Sequence, residues 1–257
     1  MSKNLYIVSS GIRTKTIKED NSIERYHQTL HTISSIRSRD KDADIVILET
    51  GTIPVEPWMK EELEAYAEFI DLTKHPRVKG IQSEAEQLAS VIWNRVDDKE
   101  GRDEAETKLR IKSAYLKSCT ESWSIQYLFE QRDLSSYDKI FKLSGRYFLT
   151  SKFNLSNFDS MVTFKKQERM SNDKEFTVSS VLWSFKGEYF EEFKKCWNNT
   201  INYFTLKWTK FQIWDLESSI STGFNLKSNP VEVKFAKELG VMGAVNAPEY
   251  KNVNWSQ

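Results

Sequence analysis

The apolar positions of this chain change spacing in a regular way along its first half. Leu5 to Val8 is a continuous apolar run broken by Ser9, Ser10 and Gly11, as a strand that ends in a polar turn would be. Asn21 with Glu24 has the form of a helix-starting capping pair, and Ile23, Tyr26, Leu30 and Ile33 then recur at helical spacing. Ile45 to Leu48 is again continuous and apolar, the pattern of a strand covered on both faces. These elements predict a β-α-β unit. Pro57 suits the first turn of a helix that Trp58, Leu63 and Tyr66 carry to about Ile70, and Ser83 with Glu86 predicts a cap before Leu88, Ile92 and Trp93.

The charged stretch Val96 to Glu106 predicts a solvated loop leading into a long helix over Ala105 to Phe129, with Leu109, Leu116, Cys119, Trp123 and Tyr127 on its buried side. Tyr137 to Leu149, YDKIFKLSGRYFL, follows: a short apolar run that ends abruptly in Lys142, Ser144, Gly145, Arg146 and Tyr147. Beyond it the pattern predicts strands at Met161 to Phe164 and Phe176 to Phe185, then a helix after Gly187 with Phe190, Phe193, Trp197 and Ile201 on one face. A short helix over Trp214 to Ile220, another near Val231 to Leu239 and an apolar Val241 to Val245 complete the reading. Regular β-α alternation followed by mixed elements argues an α/β core elaborated at its C-terminal end, read as one domain over residues 1–257.

Composition narrows the partners. Lys plus Arg (37) balance Asp plus Glu (37), so no overall basic field holds a nucleic-acid backbone. No apolar run approaches the ~20 residues of a membrane span, and the start is too polar for a secretory signal, so a cytoplasmic protein without a membrane span is expected. Cys119 and Cys196 each fall within a predicted helix, which suits reduced packing thiols. His27, His31 and His75 lack an H-E-x-x-H context, and G-x-S-x-G, P-loop and G-x-G-x-x-G strings are absent.

The strand exit at Ser144 to Tyr147 carries the candidate chemistry. Ligands of open α/β sheets sit at the carboxyl ends of strands, so a glycine that admits close backbone approach and an arginine placed there suggest an anion. The same residues also have a plain structural use, Arg146 in an ion pair and Gly145 in an ordinary turn.

The order of helix, apolar strand, polar break, strand pair and late acidic helix resembles the GT-A type of nucleotide-sugar glycosyltransferase. FKLSGRYFL followed by FTVSSVLWSF is similar, more closely, to the glycosyltransferase-like proteins of phages and bacterial surface-polysaccharide loci, including the HtrL/WlaTC group. That resemblance covers roughly Leu5 to Ile220, and its sequence-level part is confined to the strand exit. It implies an α/β fold of three layers, α/β/α, with a mixed central sheet, a nucleotide-sugar donor, and a saccharide or other hydroxyl acceptor. Ser9, Ser10, Gly11 and Arg13 then occupy the place that meets the nucleotide, and Lys142, Ser144, Gly145, Arg146 and Tyr147 the place that meets the diphosphate.

A divalent metal, Mn or Mg, usually sits in that fold on an Asp-x-Asp motif at the strand end, where this chain reads Ser144, Gly145, Arg146. Asp40, Asp42 and Asp44 do form Asp-x-Asp strings, but they precede their strand instead of ending it. A bound Mn or Mg stays open although its usual ligands are missing; if the diphosphate is bound without metal, a guanidinium can offset the charge on the leaving phosphate, with Arg146 first and Lys142 second. Glu217 or Asp215 in WDLESSI would remove the acceptor proton. A non-catalytic nucleotide- or sugar-binding module on the same fold and a methyltransferase-type α/β enzyme stand as alternatives.

Overall fold

The computed structural model describes residues 3–14, 22–95, 103–167, 177–224 and 231–243. Strands β1 (Leu5–Ser10), β2 (Asp44–Glu49) and β3 (Glu68–Asp71) alternate with helices α1 (Ser22–Arg39) and α2 (Pro57–Glu64). Helices α3 (Pro76–Asn94) and α4 (Glu104–Gln131) then lead to β4 (Lys139–Ser144) and β5 (Tyr147–Leu149). The remainder holds β6 (Val162–Phe164), β7 (Lys166–Gln167), β8 (Thr177–Val178), β9 (Leu182–Lys186), α5 (Phe190–Thr209), α6 (Leu216–Gly223), β10 (Val233–Phe235) and β11 (Val241–Gly243).

Among the described residues, seven strands make the central sheet in the order β10-β6-β9-β4-β1-β2-β3. β3, β2, β1 and β4 run parallel, whereas β9 is antiparallel to β4 and to β6. β1 thus has its sequence successor β2 on one side and β4 on the other, which makes the β1/β4 boundary the topological switch point, where α/β sheets open a ligand crevice.

Side chains alternate across the sheet as the period-2 rule requires. Tyr6, Val8, Ile45, Ile47, Phe141 and Leu143 face α1 and α2, against Tyr26, Ile33, Ile36, Met59 and Leu63. Leu5, Ile7, Val46, Leu48, Ile140 and Trp183 face α4, α5 and α6, against Ile125, Phe129, Phe193 and Trp197. Both faces are therefore dry, which is why these strands read as continuous apolar runs. A third cluster joins α3, α4 and α5 through Ile81, Ala85, Ile111, Tyr115 and Trp208. α4 is consequently buried on more than one side. Trp123 and Tyr127, expected on its buried face, are half-buried against His75, with centroids 4.7 and 5.5 Å away.

The structure moves several boundaries. α2 stops at Glu64 instead of reaching Ile70, because Glu68–Asp71 pairs with β2 and satisfies the backbone groups on that strand's open side. α3 starts at Pro76, with His75 Nδ1 accepting the Arg77 amide at 3.2 Å, so Ser83 and Glu86 are mid-helix residues and not a cap. α6 starts at Leu216, capped by Asp215. The expected helix at Val231 to Leu239 is instead strand β10, which extends the sheet beyond β6, and Phe176 to Phe185 divides into β8 and β9 around Ser179 and Ser180. Asn21 of the α1 capping pair, the charged run 96–102, Phe176, and Ala244 and Val245 lie outside the described residues.

Cys119 and Cys196 are buried free thiols, and no helix among the described residues is long and apolar enough to cross a membrane.

Phe193 is fully buried and stacks on Phe185 at 3.9 Å, with Trp183, Phe129, Trp197 and Phe224 around it. Phe193→Ala should cost ~3–5 kcal/mol in urea unfolding, the usual loss for an aromatic deleted from a packed core. A loss below ~1 kcal/mol would show that this stack is not a tightly packed core.

Candidate functional site

A cleft of about 460 Å³ opens at the carboxyl ends of β1, β2 and β4. Ser9, Ser10 and Gly11 come from the end of β1, and Ser144, Gly145, Arg146 and Tyr147 from the end of β4. Because β9 runs antiparallel, the turn before it brings Ser179, Ser180 and Val181 to the same edge, and α4 and α6 add Lys117, Glu121 and Glu217. The two sequence-predicted loops meet directly, the Gly145 amide donating to the Ser9 carbonyl at 2.8 Å. A Cβ on Gly145 would stand 3.2 Å from that carbonyl and 3.3 Å from Thr29 Oγ1, so a side chain there would require these neighbours to yield by a few tenths of an ångström.

Helix α1 holds the exit of β4 through a stripe of small polar side chains. Thr29 Oγ1 bonds the Gly145 carbonyl at 3.4 Å, Thr32 Oγ1 donates to the Tyr147 carbonyl at 2.8 Å, and Ser35 Oγ accepts from the Leu149 amide at 2.9 Å. Three hydroxyls at three-residue spacing thus serve β5 as a neighbouring strand would, on the side that β11 does not cover. The sequence carried this signal as Thr29, Thr32 and Ser35 lying among the buried Tyr26, Ile33 and Ile36 of a mostly polar helix.

Arg146 lines the cleft and makes no ion pair or hydrogen bond among the described residues. Arg25, from the first turn of α1, lines the same cleft and was not singled out in the sequence. Its Nη1 donates to the Gly11 carbonyl at 2.8 Å and to Thr14 Oγ1 at 2.9 Å, while its Nε is buried without an acceptor among the described residues. Burial first, and the like charge of Arg146 second, lower the Arg25 pKa.

Lys142 lies elsewhere than expected. Its side chain has no exposed surface and faces the α4 side of the sheet, where it ion-pairs with Glu121 and donates to the Ser180 carbonyl at 2.5 Å. Burial lowers its pKa, opposed by Glu121. A residue so enclosed holds the cleft wall and does not touch a ligand in the cleft. Its position follows from strand parity, since Lys142 points to the opposite face from Phe141 and Leu143.

Arg13 is likewise turned away, bonded to the Pro54 carbonyl at 2.9 Å and to Glu56 at 2.5 Å. Asp215 caps α6 by accepting the Ser218 amide at 2.8 Å and does not line the cleft. Glu217, one turn position further, does line it, accepting Ser180 Oγ at 2.6 Å with Lys117 Nζ at 3.8 Å. Of the long-helix lysines, Lys117 reaches the cleft, whereas Lys108 and Lys112 pair with Glu104 and Glu86.

Glu49, at the end of β2, is the buried acid that the sequence did not flag. It accepts the Ile12 amide at 3.0 Å and the Gly51 amide at 2.8 Å, tying the loop after β1 to the end of β2. A Cβ on Gly51 would come within 2.6 Å of its carboxylate and 2.5 Å of the Arg13 carbonyl. Burial pushes the Glu49 pKa up to about 7, against the pull of Ser10 and the two amides, with Asp71 adding to the rise.

The residues do not fit a divalent metal. Asp40 and Asp44 sit at the opposite end of the sheet, bonded to Asn4, Tyr6, Lys3 and Tyr137, and no group of three His, Cys, Asp or Glu among the described residues could hold a cation. At the β4 exit the side chains are a hydroxyl and a guanidinium; no carboxylate stands there to hold a hard cation, and the guanidinium is itself a cation without an acceptor.

No protein-family model matches the sequence, and no curated relative does. Among solved structures, core-mannan synthase A of Aspergillus fumigatus in its Mn/GDP form superposes with a TM-score of 0.56 at 9% identity, over 100% of this chain and 80% of that one. The fold is of the GT-A type. Mouse xyloside xylosyltransferase 1 (TM-score 0.46, 8% identity, 91% of this chain and 84% of that one) and GlyE of Streptococcus pneumoniae (0.44, 8%, 90% and 45%) are more remote. The GT-A architecture accounts for the switch-point cleft and leaves the chemistry to the residues lining it.

Because the folded-state pKa of Glu49 is raised above its ordinary 4.5, the native state holds the proton more tightly than the unfolded chain. The stability this group confers when neutral is complete below about pH 4.5 and is lost as pH rises through about 7. Glu49→Gln should therefore gain on the wild type, in urea unfolding, by on the order of 3 kcal/mol between pH 4.5 and pH 8. A difference that stays flat with pH would show that Glu49 is ionised throughout.

Proposed function

We propose that the chain is a glycosyltransferase that moves a sugar from a nucleotide-sugar donor to a hydroxyl acceptor, as a single GT-A-like unit spanning the chain. The observation that carries this reading is the position of Arg146, unpaired in a cleft at the switch point, beside the backbone junction of the β1 and β4 loops. Ser9, Ser10 and Gly11 take the nucleotide side, and Ser144, Gly145 and Arg146 the diphosphate. In the transfer, the bond from the sugar C1 to the phosphate oxygen breaks with its electron pair going to that oxygen, where Arg146 offsets the developing charge. The acceptor oxygen bonds to C1 and releases its proton.

For displacement with inversion that proton needs a base on the acceptor side, and Glu217 is the carboxylate of the former pair that lines the cleft. Asp215 supports it by starting the helix that carries it. Lys142 acts through Glu121 and the Ser180 carbonyl, holding the wall opposite Arg146. The K-L-S-G-R-Y string supports a place beside the phage and bacterial polysaccharide-locus proteins of the HtrL/WlaTC group, and two buried free thiols suit a reducing compartment such as the cytoplasm.

Thermal shifts against a panel of nucleotide sugars identify the donor, since a ligand selective for the native state raises the apparent stability. With that donor, Arg146→Ala should lower kcat by ~100-fold or more, by analogy with removal of one electrostatic donor. Full turnover in the variant removes Arg146 from the mechanism, and donor binding without any turnover by the wild type makes the protein a binding module.

A further inference from the structure

We propose that Arg25 and Arg146 form a two-guanidinium clamp that binds a diphosphate without a metal ion. Four cations stand at or just beneath the cleft, and two of them face acids, Lys117 with Glu217 and Lys142 with Glu121. Arg25 and Arg146 have no ion pair among the described residues. Both line the same cleft, where burial and then the charge of Arg146 disfavour the charge of Arg25 while Glu49 and Glu24 act in the other direction. Glu49, the acid behind the β1 loop, is bonded to the Ile12 and Gly51 amides and does not line the cleft.

The hydrogen bonding of Arg25 points the same way. Gly11 and Thr14 occupy one nitrogen and fix the plane of the guanidinium, but the buried Nε–H has no acceptor among the described residues. A buried charged donor left without a partner is unfavourable, and a phosphate oxygen supplies one. Arg25 is thus pre-oriented by its own loop, whereas Arg146 is free to follow the ligand.

The charge of the ligand class matches. In a nucleotide sugar each phosphate carries one ester and shares the anhydride link, and together they bear two negative charges, as many as the two guanidiniums bear positive ones. When the sugar leaves, the terminal phosphate keeps only its anhydride link, and the freed oxygen, with an ionisation near pH ~6, adds up to one more negative charge. The clamp therefore holds the departing nucleoside diphosphate more strongly than the donor, which is the differential binding that speeds bond breaking. The inference rests on the transferase reading for the identity of the natural ligand, and on the cleft alone for diphosphate binding.

Inorganic pyrophosphate is the probe, titrated by calorimetry into the full chain in EDTA. Wild type should bind it, and Arg25→Gln and Arg146→Gln should each weaken binding by ~10- to 100-fold, the usual range for a lost charged hydrogen bond. Arg25→Lys, which keeps the charge but not the planar fork, should fall between wild type and Arg25→Gln. Thermal unfolding of each variant without ligand reports whether the loop is intact. Pyrophosphate binding that needs added manganese overturns the clamp, as does unchanged affinity in Arg25→Gln or in a folded Arg25→Lys. Metal-free binding through both arginines, with no nucleotide sugar turned over, keeps the clamp and sinks the transferase reading; turnover that requires manganese and ignores Arg25 does the reverse.

Discussion

The cleft depends on one backbone contact, the Gly145 amide on the Ser9 carbonyl, which carries the parallel pairing of β1 and β4 one residue past the end of the ladder. Parallel neighbours at a switch point normally diverge there, since their connections leave in opposite directions. Here the exits stay joined, because the residue at the junction has no side chain and because the Thr29, Thr32 and Ser35 hydroxyls of α1 hold the following backbone from the other side. Arg146 is presented to the cleft as a result of this junction, and Arg25 arrives on the same helix that supplies the hydroxyls.

The opposite wall is built on a buried ion pair. Lys142 and Glu121 join the central strand to α4, and the Ser180 carbonyl adds a second acceptor for the ammonium. Taking both charges out of water is costly, and such a pair is a poor source of net stability, whereas removal of one partner would leave the other charge stranded. Its value is geometric. It fixes the distance between the wall that carries Glu217 and the floor that carries Gly145.

Much of this was legible in the sequence, and the gaps have physical causes. Leu5–Val8 and Ile45–Leu48 announced themselves because both faces of those strands are dry, and the polar break after Leu143 marked the cleft because a strand exit must stop being apolar where it meets a ligand. β3 and β10 did not, since lateral strands take their conformation from the neighbour they pair with, and their few residues carry no periodicity of their own. Lys142 was placed in the cleft by its nearness in sequence to Gly145, but strand parity turns it to the far face. Arg25 and Glu49 gave no pattern at all: their roles come from tertiary contacts with Gly11, Thr14, Ile12 and Gly51, which spacing along the chain does not encode.

The antiparallel pairing of β5 with β11 sets Gly243 opposite Tyr147, immediately after the arginine, and a Cβ at Gly243 would lie 2.4 Å from the tyrosine ring. The flank of the Ser144–Tyr147 loop is therefore supplied by a part of the chain made long after the loop itself. During synthesis the β1–β4 core has all its strands well before β11 emerges, so the growing polypeptide passes through a stage in which the sheet can close while one edge of its pocket is bare. That sequence-distant contact puts the last side of the pocket under the control of the C-terminal strand, at the loop-closure cost that such long-range pairing carries.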